Sequence, residues 1–457
     1  MGQKFSQNEN EKQNENLKSK SNSEFCMFDE MPEDILLYIF RFLDQRKLVE
    51  IAPTCILFNE IAFEPCLWSE TFVTFGKNIS HNKIISLKKQ VPFLQGIRIK
   101  NSYILETQKF IDSIIDNFPN LKQLEINFCK STELISQKIS RIFLLKNLRI
   151  LTLQSLQMKT FPEYILSLTQ LENLKILSNW IEKVPEKIQN LQNLNILRMD
   201  FNSLNEFPLG ICSITNLTFL TLTFNDIPSI PSEISKLVNL KTLKLTSNKI
   251  ETLPIELAQL RDLQFLDLSS NKISNYPKEL CFFKELHHLD LFSNLLTELP
   301  PEIKNLSELR TLNLNHNNIQ DLPVQIFQLS RLVNLDIRLN KLHSIPLEIG
   351  ALKTLKNLTA FGNDLTSIPF SLSFLSLESL FLQGNHIVTL PDDFGDFPLC
   401  DSLLELDLGQ NQLTELNPNF TKLTKLEFLY LKKNRFVKFP EEIRSLTNLK
   451  KCEIEEF

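Results

Sequence analysis

The sequence predicts an α/β solenoid: a curved stack of short strands forming a parallel sheet on the concave side, preceded by a small unit of three helices. Three observations predict it. Asn179, Asn202, Asn225, Asn248, Asn271, Asn294, Asn317, Asn340 and Asn363 recur at intervals of 23 residues. Each closes a pattern L-x-x-L-x-L-x-x-N, as in LKTLKLTSN and LRTLNLNHN, and a proline follows six residues later, from Pro185 to Pro369. Ahead of the array, MPEDILLYIFRFL carries apolar residues at helical spacing.

Each part of the repeat has a physical reason. Alternate leucines of LxLxx point inward from a short strand, and stacked strands make a parallel sheet. The recurrent asparagine sits where the chain leaves the strand, where its amide can bond backbone groups that would otherwise be buried and unpaired. The proline opens the convex segment, where a missing N–H costs little, and I-x-x-L packs that segment back onto the core. No repeat buries its apolar face alone, so the array is stable only as a stack. The pattern resembles the leucine-rich-repeat family, specifically the intracellular class with L-P-x-x-I-x-x-L, and covers most of the chain.

The repeats are irregular over residues 92–156 and regular over 157–457. In the first copies Ser102, Cys129 and Leu156 stand at the asparagine position with 27-residue spacing, as terminal capping repeats do. Later the spacing shortens to 22 (Asn363 to Asn385) and stretches to 26 (Asn385 to Asn411). The added residues in DDFGDFPLCDSL read as a surface loop or as a bulge shaping one side of a partner site. LKKCEIEEF reads as a final strand.

The segment ahead of the repeats, residues 28–75, starts a helix at Met31-Pro32-Glu33-Asp34, with proline and acids in the first turn. Ile35, Leu36, Ile39, Phe40 and Leu43 form a broad apolar face; a second short helix ends at Pro53, and a third carries Phe58, Ile61 and Ala62 before Leu67-Trp68. This resembles the F-box. The matching residues are Met31, Pro32, Asp34, Ile35, Leu36, Ile39, Phe40, Leu43, Leu48, Cys55, Phe58, Ile61, Ala62, Leu67 and Trp68. Met31, Lys47, Thr54 and Phe58 depart from the usual Leu, Asp, Val and Trp. The resemblance implies a Skp-type adaptor as partner and, through it, a cullin. Met31, Pro32, Ile35, Leu36, Ile39, Phe40, Leu43, Leu67 and Trp68 are its expected adaptor-binding residues. The competing reading is an N-terminal cap that buries the same residues on the first repeat.

Bulk properties exclude several classes. A formal charge of −5 argues against nucleic-acid binding, which needs clustered Lys and Arg. The first 30 residues contain no apolar signal region, and no run approaches the ~18 apolar residues of a membrane helix. Eight cysteines are scattered without a CxxC pair or terminal cluster, which fits a reducing, cytoplasmic or nuclear setting. Residues 1–27, rich in Gln, Asn, Lys, Glu and Ser, have too little apolar surface to fold and read as disordered. MGQKFS matches the N-myristoylation pattern with Gly2 as acceptor, giving a route to membrane contact, although one acyl chain anchors only marginally.

No nucleotide-binding glycine motif and no HExxH is present, so neither an enzyme nor a cofactor is expected. His287, His288 and Asp290, with Asp267 and His316 in adjacent repeats, read as a polar patch rather than as metal ligands. The concave face is the expected substrate-binding surface. Four residues before each asparagine stand Lys175, Arg198, Thr221, Lys244, Asp267, Asp290, Asn313 and Asp336, so basic residues precede acidic ones. Phe201, Phe224, Phe292 and Phe361 accompany them, either as anchors for a protein partner or as packing over neighbours in the sheet.

The sequence thus predicts a non-catalytic substrate-recognition subunit of a Skp–cullin–F-box ubiquitin ligase, binding the adaptor through residues 28–75 and a protein on the concave face. The alternative is a signalling scaffold for small GTPases or phosphatases, similar to Ras-group leucine-rich proteins and carried to membranes by a lipid on Gly2.

Overall fold

The structure is a computed structural model that describes residues 33–40, 42–43, 47, 51, 58, 72–75, 81–91, 94–100, 103–104, 107–127, 130–131 and 139–455. The chain divides into two compact units, Met1–Gln157 with Ser167–Leu171, and Met158–Leu166 with Glu172–Phe457.

The first unit contains helices α1 (Glu33–Phe40), α2 (His81–Gln90) and α3 (Thr107–Asn117). Its strands are β1 (Phe72–Phe75), β2 (Gly96–Lys100), β3 (Tyr103–Ile104), β4 (Gln123–Asn127), β5 (Lys130–Ser131) and β6 (Ile150–Gln154). β1, β2, β4 and β6 form a parallel sheet, and β3 pairs with β5. β1 is an addition to the sequence reading, which ended the F-box at 75 and began the solenoid at 76, with its irregular repeats from 92. Phe72–Phe75 pairs in register with Gly96–Ile99 and so belongs to the sheet.

The 27-residue spacing here has a structural cause. Gly96 aligns with Gln123 and Gln123 with Ile150; the first of these repeats returns through the α-helix α3, and the second ends its return in a 3₁₀ turn, Ser140–Leu144. In α3, Phe110, Ile111, Ile114 and Ile115 are buried on one side, followed by Phe118. That spacing makes one apolar stripe at the helical period.

The second unit has thirteen strands in one parallel sheet. They are β7 (Asn173–Leu177), β8 (Ile196–Arg198), β9 (Phe219–Thr221), β10 (Thr242–Lys244), β11 (Phe265–Asp267) and β12 (His288–Asp290). Next come β13 (Thr311–Asn313), β14 (Asn334–Asp336), β15 (Asn357–Thr359) and β16 (Ser379–Phe381). β17 (Glu405–Asp407), β18 (Phe428–Tyr430) and β19 (Lys451–Glu453) complete it. Each strand pairs only with its sequence neighbours, and the register is constant, as in Leu243 against Leu266 against Leu289. These central leucines are fully buried, while the flanking residues of β10, β11 and β12 are half-buried and face out. The sheet is the concave side of the predicted curved solenoid.

On the opposite side the chain returns through five-residue 3₁₀ turns. Pro185, Pro208, Pro231, Pro254, Pro277, Pro300, Pro323, Pro346 and Pro369 stand immediately before them with extended backbone. Each proline lacks a donor but its carbonyl accepts the first turn's N–H, as from Ile188 to Pro185 at 3.0 Å. The residue three places into the turn, such as Ile188, Ile234 or Ile303, is buried.

The asparagines join neighbouring repeats. The Asn271 amide shares its two N–H bonds among the carbonyls of Leu245, Leu268 and Ser269, at 2.9, 3.0 and 3.1 Å. Its oxygen accepts the N–H of Ile250 at 3.0 Å. Asn294 repeats the pattern on Leu268, Leu291 and Ile273 one repeat later.

The residue before each asparagine turns left-handed, with φ of 50° to 64° from Ser178 through Lys433. Its N–H continues the inter-repeat ladder past the strand, as from Phe224 to the Thr246 carbonyl at 2.8 Å. Glycine suits this conformation, and at Gly362 any side chain would also meet Leu339 Cδ2 at 2.7 Å.

The insertion after Asn385 is packed rather than loose. Phe394 and Leu399 are fully buried, Phe394 stacks near Phe420, and Phe397 is 73% exposed.

Asn271→Ala removes four hydrogen bonds and strands buried carbonyls. It is expected to cost about 3 kcal/mol in denaturant unfolding, whereas Asn275→Ala, on an exposed corner, should change stability by less than ~0.5 kcal/mol.

Candidate functional site: a helix face and the sheet face

In the first unit, α1 presents two environments. Leu36 and Phe40 are buried, at 1% and 3% exposure, and the Phe40 ring meets Phe58 edge-on at 5.2 Å. Ile35, Tyr38 and Ile39 are exposed, as is Phe42 just beyond the helix, and the Tyr38 and Phe42 rings touch at 5.3 Å. Of the expected adaptor-binding residues on this helix, Ile35 and Ile39 lie on its open side and Leu36 and Phe40 on its buried side. Leu36 and Phe40 hold the helix in place and are not on the surface, because their side of the helix is its core side. Tyr38 and Phe42 join Ile35 and Ile39 on the open side, and Leu43 is half-buried. Met31, Pro32, Leu67, Trp68 and Gly2 lie outside the described residues.

On the sheet of the second unit, all the expected substrate-binding residues share the strand face or its exit edge. Lys175, Arg198, Lys244, Asp267, Asp290, Phe292, Asp336 and Phe361 are half-buried; Phe201 and Phe224 are exposed. Phe201 and Phe224 occupy left-handed positions, at φ of 55° and 53°, a conformation that costs a bulky residue about 1 kcal/mol. Their rings lie parallel at 4.3 Å. Phe292 meets His316 edge-on at 6.3 Å, and the Arg338 guanidinium lies 5.2 Å from the Phe361 ring. Anchoring and packing are therefore both served, with the Phe201–Phe224 pair the more open.

The acidic residues have a structural task as well. Asp267, Asp290, Asp336 and Asp407 each accept the N–H two residues on, from Ser269, Phe292, Arg338 and Gly409, at 2.9–3.2 Å. Asn313 does the same for Asn315. A short acceptor at this point closes the turn out of the strand. Asp and Asn thus recur there partly because the backbone needs them.

Sequence reasoning missed Phe265, six residues before Asn271. Strand alternation could have found it, since that position faces out like the one two residues later. Its ring stacks on His288 at 4.1 Å and 5°, and Lys244 Nζ lies 4.4 Å from its centroid on a cation–π contact. Burial holds His288 below its ordinary imidazole range, opposed by Asp290 and Asp267 and aided by Lys244. Burial likewise raises Asp290, Asp336 and Asp407. Among the described residues, no three His, Cys, Asp or Glu side chains converge so as to hold a metal ion. Cys212 and Cys281 are buried and their thiols are pushed up to about 12, which makes them unreactive near neutral pH. No helix among the described residues is long and apolar enough to cross a membrane.

Comparisons agree with this geometry. An F-box-like family profile matches residues 28–74, a leucine-rich-repeat region profile 267–376, and a leucine-rich-repeat profile 215–273 and 375–436. A leucine-rich-repeat protein of Leptospira interrogans is 33% identical with a TM-score of 0.73, over 83% of this chain and 93% of that one. A TDR receptor is 25% identical with a TM-score of 0.63, over 84% of this chain and 70% of that one. The plant peptide hormone receptor RGFR1, solved in complex with RGF2, shares the fold at 22% identity and a TM-score of 0.54, over 84% and 76%. No curated protein matches.

The chain belongs to the leucine-rich-repeat proteins and, with its F-box-like domain, to the F-box/leucine-rich-repeat kind. Such proteins are in general non-catalytic adaptors or scaffolds. The combination points to a substrate-recognition or adaptor-binding role.

Two outcomes test the electrostatics. In NMR titration His288 should show a midpoint below 6.5, and Phe265→Ala, which uncovers the ring, should move it up. Because the unfolded chain takes that proton first, the stability His288 contributes is complete above 6.5 and is lost as pH falls below it. Asp407→Asn keeps an acceptor for Gly409 and removes a carboxylate that the fold disfavours. It should raise Tm by about 1 °C at pH 7, with the gain vanishing as pH falls through the raised Asp407 value.

Proposed function

We propose that this protein is the substrate-recognition subunit of a Skp–cullin–F-box ubiquitin ligase. The observation that carries the reading is the F-box-like domain joined to a repeat sheet whose outer face bears aromatic and charged side chains. The exposed side of α1, with Ile35, Tyr38, Ile39 and Phe42, is an apolar surface of the kind that docks into a partner's groove. The sheet face holds a protein, and other subunits transfer ubiquitin to it. Catalysis by this chain is then proximity alone, since tethering raises the effective concentration of target lysines at the ligase.

A cytoplasmic or nuclear site of action follows from this role, and a lipid on Gly2 would add contact with membranes. The scaffold for small GTPases or phosphatases has no use for an adaptor-binding segment, which favours the receptor.

Co-purification with a Skp-type adaptor and cullin tests the proposal. Wild type should retain the adaptor, and Ile35→Asp/Ile39→Asp, altered only at exposed positions, should weaken retention at least ~100-fold with its thermal unfolding unchanged. A wild-type protein that binds no adaptor would overturn the receptor reading and leave the scaffold.

A further inference from the structure

The acidic residues of the sheet face are not all alike. Asp200 is met by Arg198 Nη2 at 3.0 Å, and Asp336 by Arg338 Nε at 3.1 Å, so the sheet supplies its own arginine to each. Asp267 and Asp290 are register partners on the adjacent strands β11 and β12, about 4.8 Å apart. Among the described residues neither has a Lys or Arg within ion-pair distance. The nearest cation, Lys244, is held over the Phe265 ring. Asp267 spends one oxygen on the Ser269 N–H and hydroxyl, at 3.0 and 2.6 Å. Asp290 accepts from Phe292 and from Asn313 Nδ2, at 2.9 and 3.1 Å. Just past the next strand, β13, Asn315 is 3% exposed and its side-chain oxygen has no donor. Acceptors are in surplus here, and donors are missing.

The other end of the face is the reverse. Lys175 on β7 has no acid in ion-pair range among the described residues, and Lys244 on β10 engages only a ring. Between them, at the exit edges of β8 and β9, lies the exposed Phe201–Phe224 stack.

We propose that this face recognises an extended protein segment of divided charge: acidic residues lie over Lys175 and Lys244, an apolar residue packs on the Phe201–Phe224 stack, and a Lys or Arg side chain seats over Asp267 and Asp290. The inference rests on the receptor reading, in that the sheet face is the surface that holds the protein. From β7 to β12 the span is about 24 Å, which ~7 extended residues cover. A cation at Asp267 and Asp290 would offset the cost of burial and the mutual repulsion that now raise Asp290, so binding and charge neutralisation coincide.

Panning a phage-displayed library of random dodecapeptides on the full-length protein tests this directly. Enriched peptides should carry Lys or Arg at one end, Asp or Glu at the other and an apolar residue between. Asp267→Asn/Asp290→Asn should weaken a selected synthetic peptide at least ~10-fold and abolish selection of its basic end alone. Lys175→Glu/Lys244→Glu should abolish selection of the acidic end. Asp267→Asn by itself, which keeps an acceptor for Ser269, should weaken the same peptide while leaving Tm unchanged and so separates recognition from folding. Selection of peptides without basic residues, or basic selection that survives the Asp267 and Asp290 substitutions, overturns the charge assignment while leaving a protein-binding face. Absence of any enrichment overturns the extended-segment assignment and leaves the receptor reading to adaptor binding. Adaptor co-purification, by contrast, reports on the helical segment alone.

Discussion

The repeat unit depends on one side-chain amide. A short strand of three residues makes too few ladder bonds to fix its neighbours, and the sharp exit from it exposes carbonyls that face the core. Asparagine answers both problems. Its N–H groups reach carbonyls of its own repeat and of the one before, and its oxygen takes an N–H from the one before. Neither Asp, which cannot donate, nor Leu, which can do neither, substitutes for it. Where the interval departs from 23, at Asn385 and Asn411, the amide still takes the N–H of Leu365 or Ile387 and donates to carbonyls of two layers, so the amide fixes the strand exit and not the length of the return.

This dependence explains what the sequence revealed. The asparagine, the inward leucines and the proline six residues on are all fixed by backbone geometry, so they recur and can be read by eye. The stacked strands of the second unit and the convex return behind each proline followed from them; that the return is a 3₁₀ turn did not. The α-helical return α3 was less legible, since 27-residue spacing alone does not choose between a loop and a helix; the Phe110–Ile115 stripe decides it. β1 was missed because four residues, FVTF, are too short to show alternation.

Side-chain neighbours were harder to read than positions. Lys175, Asp267 and Phe201 could be assigned to one face from strand period, yet their pairing could not. That Arg198 is spent on Asp200 and Lys244 on Phe265 depends on rotamers and on the neighbour across the sheet. On α1 the apolar face is so broad that spacing could not say which half turns inward. Burial of Leu36 and Phe40 divides it.

The left-handed residue before each asparagine carries a further consequence. Its backbone is held from both sides by the amide and by the ladder, so the conformation survives whatever side chain is attached. Ser, Phe, His, Leu, Gly, Gln and Lys all occur there. These positions edge the same surface on which the Phe201–Phe224 stack sits, and none of them belongs to the leucine core. Except at Gly362, where a side chain would meet Leu339, mutation can therefore rewrite this edge one residue at a time, with no compensating change inside. The fold separates the inheritance of its architecture from the drift of its specificity.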